Sequence, residues 1–106
     1  MKLLSRTEEV ILAAAWKLEG NAYGVTISDY ITKRTGITWK FGGIYSPLGR
    51  LVDNGYLKTV EGEPTPERGG RRKVFYVLTQ KGKDALYEIR ELNKAVWHDM
   101  PLFKAE

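Results

Sequence analysis

Hydrophobic residues recur at helical spacing in four stretches of the chain, and two shorter stretches are rich in β-branched and aromatic residues. The first helical stretch contains the apolar run Val10–Trp16, and Ser5 and Glu8 before it have the spacing of a capping box. We therefore predict a helix over residues 6–18 that stops at Gly20. Because the centre of this helix is apolar all round, we expect it to contact partners on more than one side.

Two more helices are predicted before residue 56. Residues 24–35 have apolar positions at helical spacing, and Gly36 is the expected stop. Residues 37–40 have the composition of a brief strand. A third helix of about ten residues is predicted after Gly43, closed by Asn54-Gly55.

A β-hairpin and a long helix complete the pattern. Residues 56–60 and 73–78 are predicted strands, and the segment 61–72 between them is rich in glycine, proline and charge. This composition predicts a hairpin with a long flexible tip. Thr79 is the expected N-cap of a fourth helix, which Pro101 should end.

The order of these elements predicts the fold class. Helix, helix, short strand, helix and two strands joined by a long tip form a winged helix-turn-helix, and one helix follows it. The expected class is α+β, mainly helical. We expect one compact unit, with a winged-helix domain over residues 1–82 and an additional C-terminal helix over residues 83–106.

The charge is distributed unevenly along the chain. The formal net charge is +4, with 13 basic and 8 acidic side chains in residues 1–82 but 4 and 5 in residues 83–106. A basic domain with a nearly neutral tail suits a polyanionic partner. The chain has no cysteine, no signal-peptide pattern and no apolar run long enough to span a bilayer. We therefore expect a soluble, cytoplasmic protein with no membrane partner.

The sequence shows no arrangement typical of catalysis or metal binding. His98 is the sole histidine and makes no metal-ligand set with Glu91 and Asp99. No serine has an evident base. Gly82-Lys83 does not complete a phosphate-binding loop, because Val77 stands where the first glycine is needed. We expect no enzyme activity, no cofactor and no metal.

The predicted third helix has a polar side suited to a DNA groove. Its apolar positions commit one face to the core, which leaves Tyr45, Ser46, Gly49 and Arg50 pointing outward. Arginine can bind guanine acceptors in the major groove, and hydroxyls can bind phosphates. Gly43, with Gly42 before it, would let backbone amides at the start of the helix approach a phosphate. An ordinary solvated face is the alternative interpretation.

The predicted hairpin tip carries a cluster of cations. Four of them lie in six residues: Arg68, Arg71, Arg72 and Lys73. Like charges this close repel one another unless an anion neutralises them, and duplex phosphates would do so with release of counterions. A solvated basic loop is the alternative, but the position beside a helix-turn-helix favours DNA binding.

The fourth helix and the apolar first helix together suggest a homodimer. The fourth helix has an a/d-type stripe with Asn93 at an a-type position, where a buried asparagine can fix register. The predicted dimerisation residues are Ile11, Leu86, Ile89, Asn93, Val96, Trp97 and Met100. The stripe could instead cover only its own core. Trp97 beside the stripe could also stack on a planar aromatic effector, although packing is the more ordinary role of such a tryptophan.

These features together resemble the PadR family of winged-helix regulators. The resemblance covers residues 12–82 and is most specific in the wing. The motifs that carry it are, in order, Ala22-Tyr23-Gly24, Ile44-Tyr45 with Leu48, Arg50 and Leu51, Asn54-Gly55-Tyr56-Leu57, Gly69-Gly70-Arg71-Arg72-Lys73 running to Tyr76, Leu78-Thr79 and Lys81-Gly82.

The resemblance implies a dimeric repressor whose third helix enters the major groove while the wing contacts the minor groove or backbone. It implies base or phosphate contacts for Tyr45, Ser46 and Arg50, and backbone contacts for Tyr23, Arg71, Arg72 and Lys73. Two departures stand out. Gly43 replaces the family's usual Thr or Ser, and the proline that usually follows the tyrosine is shifted to Pro47. Because proline lacks an amide, we expect the third helix to begin one residue later or in 3₁₀ form.

Two functions of different kinds follow from this pattern. The first is a sequence-specific, double-stranded-DNA-binding regulator of bacterial or archaeal type, acting as a homodimeric repressor. The second is a winged-helix module that binds protein or RNA without recognising an operator, since the fold does not fix the function.

Overall fold

The computed structural model describes residues 3–40, 42–64 and 72–101, with the backbone alone for Glu63, Pro64 and Arg72. These residues form four helices and a two-stranded antiparallel sheet. The elements are α1 (Arg6–Lys17), α2 (Gly24–Thr35), α3 (Tyr45–Asp53), β1 (Leu57–Pro64), β2 (Arg72–Leu78) and α4 (Gln80–Trp97). This is the predicted winged-helix arrangement with an additional C-terminal helix.

The first helix begins with the predicted capping box. The Ser5 hydroxyl accepts a hydrogen bond from the Glu8 amide at 3.1 Å, and the Glu8 carboxylate accepts one from the Ser5 amide at 2.9 Å. Helix α1 contacts α2, α3, β2 and α4, as its apolar composition predicted. Ile11 is fully buried in this core. Its place among the predicted dimerisation residues is therefore wrong, because its side chain has no surface to offer a second copy.

The segment after α2 differs from the prediction. Gly36 ends α2 with φ 80°, as expected, but residues 37–40 form no strand in the described structure. Ala22, which precedes α2, contacts the edge of β2. Its carbonyl accepts a hydrogen bond from the Tyr76 amide at 2.7 Å. The chain before α2 thus contacts the hairpin.

The hairpin is longer than the sequence suggested. Leu57 pairs with Leu78, and pairing continues to Glu61 opposite Val74, with an irregularity before Pro64. The predicted end of the first strand at residue 60 is therefore too early, because pairing with the apolar second strand extends the ladder beyond the last apolar residue of the first.

The fourth helix is capped as predicted but ends early. The Thr79 hydroxyl accepts a hydrogen bond from the Gly82 amide at 3.1 Å and donates one to the Gly55 carbonyl at 2.6 Å. Helix α4 ends at Trp97 instead of continuing to Pro101. Its last turn is exposed, so helix propensity there gains no support from packing.

The core lies among α1, α2, α3 and the base of the hairpin. Its largest fully buried side chains are Ile11, Leu12, Ile27, Ile31, Leu48, Leu51 and Leu57. Helix α4 adds Ala85 and Leu86 at the edge of this core and then extends beyond it. None of the helices described has the length and apolar character to cross a membrane.

Candidate nucleic-acid interface

Helix α3 separates a buried face from an exposed one. Leu48 and Leu51 pack into the core, while Tyr45, Ser46, Gly49, Arg50 and Asp53 are exposed. At about 100° per residue, the exposed positions span an arc of about 140°, with Asp53 near its middle and Gly49 between Asp53 and Tyr45. The outward orientation of these side chains is as predicted.

Pro47 lies in the first turn of α3. The helix begins at Tyr45, one residue after the first position predicted, so Pro47 is its third residue, where an amide would have no acceptor inside the helix. Two hydrogen bonds of the tight 3₁₀ type lie at this start, from the Gly43 amide to the Lys40 carbonyl at 2.6 Å and from the Tyr45 amide to the Gly42 carbonyl at 3.2 Å. The expectation that α3 starts one residue later or in 3₁₀ form is therefore met.

These two bonds also change the role expected of Gly43. Its amide is committed to Lys40 and is not available to cradle a phosphate. Gly42 has φ 72°, a conformation that glycine adopts without strain. The glycine pair therefore shapes the turn into α3, and Gly43 itself is exposed beside the helix.

Tyr45 joins the start of α3 to the start of α2. A Cβ atom on Gly24 would fall on the Tyr45 ring, so the glycine leaves the space that this ring occupies. Tyr45 is nevertheless 51% exposed. The pKa of Tyr76 in β2 is raised, mainly by burial and to a lesser degree by the electrostatic effect of Tyr45.

Tyr23, the N-cap residue of α2, contacts the hairpin. The Lys73 ammonium lies 4.7 Å from the Tyr23 ring centroid, and the Phe75 ring meets the Tyr23 ring edge-on at 5.5 Å. Residues 23 and 24 at the start of α2 therefore contact a cation of β2 on one side and the first residue of α3 on the other. The part of β2 near Lys73 and the start of α3 at Tyr45 therefore lie next to each other.

The predicted tip of the wing lies largely outside the described residues. Arg68 and Arg71 belong to the part of the chain that is not described, and the side chain of Arg72 is not described either. Lys73 is the one predicted wing cation whose side chain is described.

Arg50 has two partners that the sequence did not reveal. Its Nε donates to Glu8 Oε2 at 3.2 Å, and its Nη1 donates to the Ser46 hydroxyl at 3.2 Å. The hydrogen bond from the Ser5 amide and the charge of Arg50 hold the pKa of Glu8 below its ordinary value of 4.5. The spacing of Ser5 and Glu8 indicates only a cap. The contact with Arg50 joins residues 42 positions apart and has no local signal in the sequence.

The predicted dimer stripe changes from half-buried to exposed along α4. Leu86 packs against the core, Ile89 and Asn93 are half-buried, and Val96, Trp97 and Met100 are 53%, 53% and 46% exposed.

The sequence analysis missed a groove beside this stripe. The groove has a volume of about 570 Å³ and lies between α1 and α4, where Trp16, Leu86 and Tyr87 line it. Trp16 and Tyr87 are 41% and 63% exposed. Together with the stripe, they give α1 and α4 an apolar surface that the described residues leave exposed.

Comparison with known proteins identifies the relatives of this arrangement. The model of the transcriptional regulator PadR-like family matches residues 11–88, which include every element from the middle of α1 to the middle of α4. No curated protein matches the chain.

Several solved structures have the same fold. A transcriptional regulator from Clostridium thermocellum is 31% identical, with a TM-score of 0.65 over 89% of this chain and 91% of the other. A PadR-like transcription factor from Bacteroides fragilis is 29% identical, with a TM-score of 0.68 over 86% of each chain. A PadR family regulator from Clostridium difficile is 29% identical, with a TM-score of 0.64 over 87% of this chain and 90% of the other.

Proposed function

The chain belongs to the PadR-like family of DNA-binding transcriptional regulators, and on this premise we propose that it recognises an operator sequence as a homodimer and represses transcription. The observation that carries the proposal is the junction at the start of α2. There Tyr23 contacts Lys73 of the hairpin, and Gly24 contacts Tyr45 of α3. One duplex can therefore meet both elements at once.

The proposed DNA contacts divide by chemistry. The exposed arc of α3 fits the major groove, which is about 12 Å wide and presents distinct acceptors for each base pair. In this proposal Arg50 contacts a base, and Tyr45 and Ser46 contact bases or phosphates. Tyr23, Lys73 and the wing arginines Arg68, Arg71 and Arg72 contact the backbone, and Gly43 lies close to it.

The homodimer is proposed from the exposed stripe of α4. Asn93, half-buried between apolar neighbours, would set the register of two such helices. A twofold arrangement would place two copies of α3 in successive major grooves, about 34–36 Å apart, so the operator would be a palindrome. In this arrangement the winged helix binds DNA and the C-terminal helix holds the dimer together.

We also propose how the dimer represses transcription and how an effector would control it. A dimer bound over promoter DNA would exclude the polymerase, and this would take place in the cytoplasm, where the DNA of a bacterial-type regulator lies. A planar aromatic effector stacked on Trp97 would act through the dimer contact. Trp97 fluorescence that did not respond to a panel of planar aromatic compounds would count against the effector.

Binding to duplex DNA at two salt concentrations tests the function. We expect selection from a randomised duplex library to yield a palindromic site, and affinity for that site to fall steeply with salt. Replacing both Arg71 and Arg72 with alanine should weaken binding to all duplexes alike and flatten the salt dependence. If no sequence is enriched and the affinity changes little with salt, the chain is instead a protein- or RNA-binding module.

A further inference from the structure

The guanidinium of Arg50 in α3 is hydrogen-bonded to Glu8, a residue of α1. Glu8 Oε2 accepts from Nε, and the Ser46 hydroxyl accepts from Nη1, both at 3.2 Å. An arginine has five N–H donors. Within the described structure these two bonds leave three donors at the outer end of the group.

Glu8 is itself held in the N-terminal cap of α1. Its second carboxylate oxygen accepts the Ser5 amide in the capping box of α1 at 2.9 Å. The Glu8 side chain is only 14% exposed, while the Arg50 side chain is 53% exposed. The pair therefore joins a nearly buried carboxylate to an exposed guanidinium.

The two terminal Nη atoms of this guanidinium match one base. Guanine presents two acceptors, O6 and N7, at its major-groove edge, and arginine binds both with two parallel N–H groups. Because Nε is occupied by Glu8, the terminal Nη atoms are left to make such a contact. A guanidinium already held in place loses less conformational freedom when it binds.

We infer that Glu8 is a positioning residue for base recognition, which orients Arg50 so that its terminal Nη atoms face a guanine in the major groove. This inference rests on the proposed function. Glu8 touches no DNA in this account and acts through Arg50. A carboxylate near a phosphate backbone opposes binding to every duplex equally, so its benefit must appear in the choice among sequences.

Glu8→Gln is the informative variant, and Glu9→Gln is its matched control. Glutamine at position 8 can still accept the Ser5 amide, so the cap is retained while the charge facing Arg50 is lost. Glu9 lies one residue away and pairs with Arg6 at 3.5 Å. Both variants raise the net charge by one, and thermal melting checks that both stay folded.

The experiment is selection from a randomised duplex library with wild type, both variants and Arg50→Ala, followed by affinity measurements. For each protein we compare the best site with the same site altered at the base pair where Arg50→Ala loses its preference. We expect Glu8→Gln to reduce this ratio about threefold to tenfold, and Glu9→Gln to leave it unchanged. In the Arg50→Ala background, Glu8→Gln should have no further effect on the ratio.

The other outcomes overturn the inference in distinguishable ways. If Glu8→Gln leaves the ratio unchanged or raises it, Glu8 does not orient Arg50. A raised ratio would mean that Glu8 competes with DNA for Arg50. If it still lowers the ratio when Arg50 is absent, it acts by another route. If Arg50→Ala changes no base preference, the inference and the base contact proposed for Arg50 both fail, while operator recognition by the dimer stands. If wild type enriches no sequence, both fail.

Discussion

At the scale of single residues, neither packing nor backbone conformation in the described structure requires a glycine at position 49. Gly49 lies within the exposed arc of α3, and a Cβ atom there would meet nothing within 4 Å. We expect Gly49→Ala to raise the free energy of unfolding by about 0.5–1 kcal/mol, because alanine is the better helix former. The same change should weaken duplex binding, since a methyl group would separate the helix from the DNA edge.

Chemical denaturation and a duplex titration of the same Gly49→Ala protein check both effects. Because the two changes have opposite signs, a loss of binding could not be ascribed to unfolding. Undiminished binding would mean that DNA does not approach α3 at this point.

The charge of Glu8 predicts how stability depends on pH. The Ser5 amide and Arg50 lower the pKa of this carboxyl in the folded state. Its contribution is therefore present above the unfolded pKa and lost as the pH falls through the folded pKa. Denaturation of wild type and Glu8→Gln between about pH 7 and about pH 3 should show their stabilities converging toward acid. A difference that stays constant across this range would contradict the assignment.

At the scale of elements, Gly82 fixes the start of α4 against the hairpin. A Cβ atom at Gly82 would fall on the Tyr56 carbonyl oxygen, which belongs to the backbone and cannot turn aside. We expect Gly82→Ala to lower the free energy of unfolding by about 1–3 kcal/mol despite its better helix propensity. Thermal or chemical denaturation measures the loss, and Gly49→Ala serves as the control with open space. Equal stabilisation by both alanines would show that α4 does not approach Tyr56 so closely.

The sequence predicts elements well where the signal is local. The cap of α1 at Ser5 and the stop of α2 at Gly36 are formed by residues within a few positions of each other, so spacing reveals them. The contact of Ala22 with Tyr76 and that of Glu8 with Arg50 join distant segments, and no periodicity reports them. The end of α4 is a third kind of case: its last turn is exposed, so packing adds nothing to helix propensity there, and the hydrophobic pattern does not show this.

At the scale of the whole molecule, the account requires a second copy of the chain. Val96 is 53% exposed and belongs neither to the buried core nor to the partly buried side chains that pack against it in the described structure, so Val96→Glu should leave the protomer folded. We expect this variant to be a monomer at concentrations where wild type is a dimer, since a charge would enter the apolar contact between the two α4 helices. Ala95→Glu adds the same charge on the exposed side of α4 away from the stripe and should stay dimeric.

Light scattering coupled to size-exclusion chromatography measures the state of each protein. A wild-type chain that is monomeric, or a Val96→Glu variant that remains dimeric, would show that α4 is not the dimer contact.

The central claim is that α3 and the hairpin contact the same duplex, and an NMR titration tests it most directly. Amide signals of the ¹⁵N-labelled full chain would be followed as the duplex recovered by selection is added. We predict that the amide signals of Tyr23, Lys73 and the exposed α3 residues Tyr45, Ser46, Gly49 and Arg50 shift together, with the same dependence on duplex concentration. Shifts confined to α3 alone or to β2 alone, with the other element unaffected, would contradict it.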